Sequence, residues 1–186
     1  MKYISIVLLA WLSIINHAGQ DIYICKNAKI SLYSSAPIED IRAVSTTAAS
    51  VFNAATGELD FSASIRSFQF EKSLMQEHFN SDYMESDKYP RVIFKGKVQE
   101  HIDVTRDGSY PVTVTGTFTV HGITKPRTIL GTITVKNGIV SMTSEFMVNC
   151  ADHHIDIPQI LFYHIAENIK VTVSATDILY KSTSNQ

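Results

Sequence analysis

The stretch DGSYPVTVTGTFTVHGITKPRTILGTITVKNG, residues 107–138, decides the fold. Tyr110, Val112, Val114, Gly116, Phe118 and Val120 alternate with Pro111, Thr113, Thr115, Thr117 and Thr119. That is the period of a strand with one apolar and one wet face. Gly122 and Pro126 bracket a turn. Ile129, Gly131, Ile133 and Val135 then resume the alternation up to Asn137-Gly138, a strong type I′ hairpin signal. Asp107-Gly108 reads as a second hairpin signal.

Outward from this stretch the pattern repeats. From Asp21 to Ser34 two short strands are predicted about a Lys26-Asn27-Ala28 turn, and Pro37 to Ile41 reads as a loop or a single helical turn. Arg42 to Asn53 is rich in Val, Thr and Ser, and Ala55-Thr56-Gly57 turns the chain into Glu58 to Arg66. There Leu59, Phe61, Ala63 and Ile65 share one face. The same parity runs through Val92, Phe94, Gly96 and Val98, through Val140, Met142, Phe146, Val148 and Cys150, and through Ile169, Val171, Val173 and Ala175. About eight hairpin-joined strands, each with one apolar face, imply an antiparallel barrel or a sandwich, and the pattern alone does not choose between them. In a barrel, Gly96, Gly116 and Gly131 would leave room for a ligand or let the sheet bend.

Two segments break the alternation. Ser73-Leu74-Met75-Gln76 has the form of a capping box, so a helix is predicted over Leu74 to Asn80, with Leu74, Met75 and Phe79 on one face and His78 among them. Pro158, followed by Ile160, Leu161, His164 and Ile165 at helical spacing, predicts a second over Pro158 to Glu167. Helices this short are unstable alone. Their apolar stripes must therefore rest on the sheet or across the mouth of a barrel, and the first is expected to act as a lid.

With 186 residues, 45% of them apolar and 18% charged, the chain suits one domain with a sizeable core. Residues Ile4 to Ile15 form an apolar run behind Lys2 and ahead of Asn16 to Gln20. This predicts a secretory signal peptide over 1–19 and a mature domain over 20–186, periplasmic or secreted. Beyond it no apolar run reaches the roughly 18 residues of a membrane span. The net charge of −2 carries no basic patch for nucleic acid. Cys25 and Cys150 make one disulfide in an oxidising compartment or two buried thiols.

Chemistry is sparse. His78, His101, His121, His153, His154 and His164 show no HExxH or other ligand spacing, and no GxSxG elbow frames a serine. Glu85 and Asp87 beside a turn read as solvated surface. No catalytic residue, metal ligand or cofactor is assigned. The alternatives are a metal-dependent or other periplasmic enzyme using the histidine-rich segments, or an adaptor that docks a partner through a sheet edge.

The segments LMQEHFNSDYMESDKYPRVIFKGKV at 74–98 and VTGTFTVHGITKP at 114–126 resemble the YceI-like family of exported bacterial proteins, most closely its Bacteroidetes-type members. The specific pieces are Tyr89-Pro90 leading to Phe94, and Gly116 through His121-Gly122-Ile123-Thr124-Lys125. The resemblance spans the mature chain and implies a lipocalin-like, eight-stranded antiparallel barrel with two short helices. It also implies a long isoprenoid-type lipid, a polyprenyl chain or an isoprenoid quinone, held inside for carriage or sequestration. Leu59, Phe61, Ile65, Phe68, Leu74, Met75, Phe79, Phe94, Phe118, Val120 and Phe146 are the expected ligand-binding residues, and a homodimer is left open. Asp152-His153-His154-Ile155 and the cysteine pair depart from the family pattern.

Overall fold

The computed structural model describes residues 21–35, 40–157 and 166–180. Its long strands are β1 (Ile22–Ser34), β2 (Ile41–Asn53), β3 (Glu58–Ser64), β5 (Arg91–Val98), β6 (Gly108–Val120), β7 (Ile123–Lys136), β8 (Ile139–Asn149) and β9 (Asn168–Leu179). A two-residue strand, β4 (Gln69–Phe70), adds to β2, and one short helix, α1 (Ser73–His78), follows it. All pairs are antiparallel, and β1 pairs with β2 on one side and β9 on the other. That double pairing closes the sheet into a barrel.

The alternation places side chains as the sequence implies. Phe61, Phe94 and Phe118 lie opposite one another across β3, β5 and β6. Asn137 and Gly138 take φ of 51° and 75° at the β7–β8 tip, as a type I′ turn requires.

Three local expectations are corrected. Residues 22–34 form one strand, not two: Lys26 and Asn27 are an exposed irregularity between Cys25 and Ala28, because β1 is held by a neighbour on each side. The β6–β7 turn is the dipeptide His121-Gly122 alone, with φ of 49° and 74°. Pro126 sits inside β7 opposite Thr117, where β7 has no partner on its other side, so the missing N–H breaks no ladder there. Asp107 is not a hairpin tip: residues 99–107 form the β5–β6 connection, and the Asp107 carboxylate accepts the Asn137 N–H at 2.9 Å.

The helix also departs from its expected cap. Lys72 is the N-cap and Ser73 the first helical residue. Gln76 does not turn back to close a capping box, since its Oε1 accepts the N–H of Phe70 at 3.2 Å. The helix continues into a π-helical turn, Phe79–Tyr83. Of the second expected helix, Pro158 to Glu167, residues 158–165 lie outside the described residues, and Ala166 and Glu167 are not helical.

Candidate functional site

The barrel interior is divided along its length. At the Asn137-Gly138 end Phe52, Val135 and Val140 are fully buried in it, and the rings of Tyr23 and Phe52 lie 6.4 Å apart. A buried carboxyl, Asp177, accepts the Ser50 hydroxyl there, its second oxygen has no partner among the described residues, and burial raises its pKa. At the His121-Gly122 end the interior is hollow. An apolar cavity of about 440 Å³ runs from beneath α1 to the level of Leu59, Ile133 and Met142, within the usual range for small-molecule sites.

Of the expected residues, Leu59, Phe61, Ile65, Phe68, Met75, Phe79, Phe94, Phe118, Val120 and Phe146 all line this cavity. Leu74 does not. It is 59% exposed, since it lies about 100° round the helix from Met75, and the inward face is Met75, His78 and Phe79. Phe79 is the anchor of that face: its ring centroid is 4.9 Å from Phe70 and 5.9 Å from Phe68. The lining also takes in Ile30, Leu32, Tyr83, Met84 and Met142, which strand parity or the π-helical turn delivers from elsewhere. Of the three inward glycines only Gly131 borders the cavity. A Cβ on Gly116 would lie 2.1 Å from the Lys95 carbonyl oxygen, so Gly96 and Gly116 instead let β5 and β6 approach closely.

The segment after the π-helical turn is clamped to the β6–β7 tip. His121 Nε2 contacts the Glu85 carboxylate at 2.9 Å, and its Nδ1 contacts the His153 carbonyl at 3.1 Å. Tyr89 packs edge-on against the His121 ring, with centroids 4.6 Å apart, and covers Gly122, where a Cβ would lie 2.5 Å from the phenol ring. Glu85 is therefore part of a clamp rather than plain surface. Asp87, by contrast, is exposed and meets Arg66 at the surface.

The profile of the YceI-like domain matches residues 29–176. The chain belongs to the YceI-like domain family. No curated protein matches the sequence. Among solved structures, this YceI-like barrel is similar to a polyisoprenoid binding domain from Saccharophagus degradans implicated in plant cell wall breakdown. The TM-score is 0.74 at 10% identity, over 87% of this chain and 100% of the other. It is also similar to BcnA of Burkholderia cenocepacia, with TM-score 0.67 at 13% identity over 80% and 95% of the two chains. A third, the YCEI protein of Campylobacter jejuni, gives TM-score 0.56 at 20% identity over 73% and 81%. At these identities the likeness concerns the fold.

The two departures from the family pattern have structural readings in this YceI-like chain. His153 is buried, its ring is edge-on to Phe118 with centroids 5.6 Å apart, and burial holds it below the usual imidazole range. Its Nδ1 contacts the Ile123 carbonyl at 3.3 Å, so it joins the end of β8 to the start of β7. Cys25 and Cys150 are both free and buried. Cys25 lies level with Ile178 and Val140, while Cys150 follows Asn149 at the opposite end of β8. The two are about 30 Å apart along the strands, far beyond disulfide reach. Burial pushes the Cys150 thiol up to about 11. Among the described residues, no three His, Cys, Asp or Glu side chains converge to hold a metal.

Proposed function

We propose that this protein binds a long apolar lipid of isoprenoid type in the barrel cavity, as a carrier or sequestering protein exported from a bacterial cell. The observation that carries the reading is the apolar hollow at one end of an otherwise packed barrel, with a short helix rather than a strand across its mouth. The polyisoprenoid binding of the Saccharophagus degradans domain supports the choice of ligand class. Burial stabilises at about 25 cal/mol per Å², so a chain burying several hundred Å² gains roughly 10 kcal/mol before ordering costs. Unbranched, polarisable Met75, Met84 and Met142 in the lining suit a flexible chain whose contacts shift. Residues 1–19 act as the signal peptide in this reading, which places the mature domain in the periplasm or outside the cell.

The test is native mass spectrometry, with organic extraction, of protein purified from the periplasm of its own cell. The expected result is one apolar passenger per barrel, released by solvent. Protein that carries no lipid and takes none up from a polyprenol dispersion would overturn the reading.

A further inference from the structure

The barrel wall is not hydrogen-bonded all the way round at the cavity end. β7 and β8 pair only from Gly131 opposite Ser144 to Lys136 opposite Ile139. Yet β7 stays paired with β6 as far as Ile123, and β8 with β9 as far as Asn149. Residues 123–130 and 145–149 thus face each other across a seam without a ladder, beside the cavity. Side chains close it. The Ser144 hydroxyl donates to the Leu130 carbonyl at 2.7 Å, and the Arg127 guanidinium donates to the Met147 carbonyl.

The charge in this seam is unbalanced. Lys125 and Arg127 fall on the same strand parity as buried Ile129 and Ile133, where an apolar residue would be expected. Lys125 is paired with Asp152 at 2.9 Å. Arg127 has no carboxylate within ion-pair distance among the described residues, and Asp152, already paired with Lys125, acts on it only at longer range. Its guanidinium lies 5.0 Å from the Phe146 centroid and 5.9 Å from that of Phe118, two rings that line the cavity. Gly116, opposite it in register, adds no side chain to crowd it. Burial lowers the Arg127 pKa, and the Asp152 carboxylate offsets that only in part. A guanidinium carries five N–H donors in a fork that matches a carboxylate or phosphate, and the Met147 carbonyl uses one.

We propose that Arg127, in the unpaired β7–β8 seam, seats an oxyanion at the head of the apolar chain. The ligand class is then an anionic amphiphile, a prenyl phosphate or a long-chain carboxylate, rather than a neutral lipid. This inference rests on the lipid-binding reading above. It follows from two facts about charge in a partly dry wall: an unpaired cation there is unfavourable, and a forked ion pair formed there is strong.

The experiment compares the mature protein's affinity for geranylgeranyl monophosphate and for geranylgeraniol, which share one chain, by displacement of a fluorescent apolar dye. The same pair is measured with Arg127→Gln and Arg127→Lys, and circular dichroism checks each variant's fold. Charged hydrogen bonds of this kind give a preference of about 10- to 100-fold for the phosphate in the parent protein. The ratio should fall to about one in Arg127→Gln and be intermediate in Arg127→Lys. Palmitate against hexadecanol repeats the comparison for a carboxylate and shows which oxyanion is taken. Should Arg127→Gln fail to fold, loss of the parent's preference in 1 M salt supplies the same evidence. Equal affinity for phosphate and alcohol in the parent protein, or an undiminished ratio in Arg127→Gln, overturns the proposal while leaving lipid binding intact. Binding of neither probe refutes the lipid reading itself.

Discussion

Phe79→Ala tests whether α1 is a lid. Full truncation of a buried Phe costs about 3–5 kcal/mol, but Phe79 is only partly buried, and its aromatic contacts among the described residues are with Phe68 and Phe70 on the barrel side. About 2 kcal/mol of helix docking should be lost, which is about a 30-fold rise in the open population. Hydrogen exchange followed by mass spectrometry should show amides of residues 73–83 losing protection by that factor, while β6 and β7 stay among the slowest segments. Release of a bound apolar dye should quicken by a similar factor. Leu74→Ala is the control: the side chain is 59% exposed and off the cavity, so it should change neither measurement. If Phe79→Ala leaves helix protection and dye release unaltered, α1 is ordinary wall and the passenger leaves by another route.

Further tests address the rest of the barrel. Asp177 has a raised pKa, so its folded form holds a proton that the unfolded chain releases above about pH 4. Stability from this group is full below that pH and is lost as pH rises through the folded pKa. Urea midpoints of Asp177→Asn should therefore gain on the parent as pH rises above about 4 and level off beyond the folded pKa, and a pH-independent difference would contradict the assignment. Gly116→Ala should destabilise by at least the roughly 1–3 kcal/mol of overpacking, because the new Cβ meets backbone rather than a side chain that can swing away; a thermal midpoint unchanged from the parent would disprove the close approach of β5 and β6. His121→Asn keeps a residue tolerant of the left-handed backbone but shortens the clamp. It should cost about 1–3 kcal/mol and deprotect residues 84–89 selectively, as read by hydrogen exchange.

Much of the site was legible because strand parity is a local property. Phe61, Phe94, Phe118 and Phe146 each share the apolar face of their own strand, and any closed sheet sends that face inward. Leu74 was misread for an equally local reason. One residue of uncertainty at a helix start rotates the stripe by about 100°, and the Gln76 contact to Phe70 that fixes the start joins α1 to a strand the sequence does not reveal. The anomaly of Lys125 and Arg127 on an apolar parity is visible in ITKPRTILG, residues 123–131, but parity alone gives it no meaning.

The sequence by itself determined most of the long strands, their inward faces, the type I′ tip at Asn137-Gly138 and the presence of a short amphipathic helix, since each depends on residues within one turn or one strand of each other; the continuity of β1 and the short β4 were not among them. Tertiary structure alone decided that β1 closes a barrel rather than edging a sandwich, that Cys25 and Cys150 stand at opposite ends, and that the β7–β8 ladder stops at Gly131. Those are outcomes of pairing between residues far apart in the chain, where register and closure are set by the whole sheet at once and no single stretch carries the information.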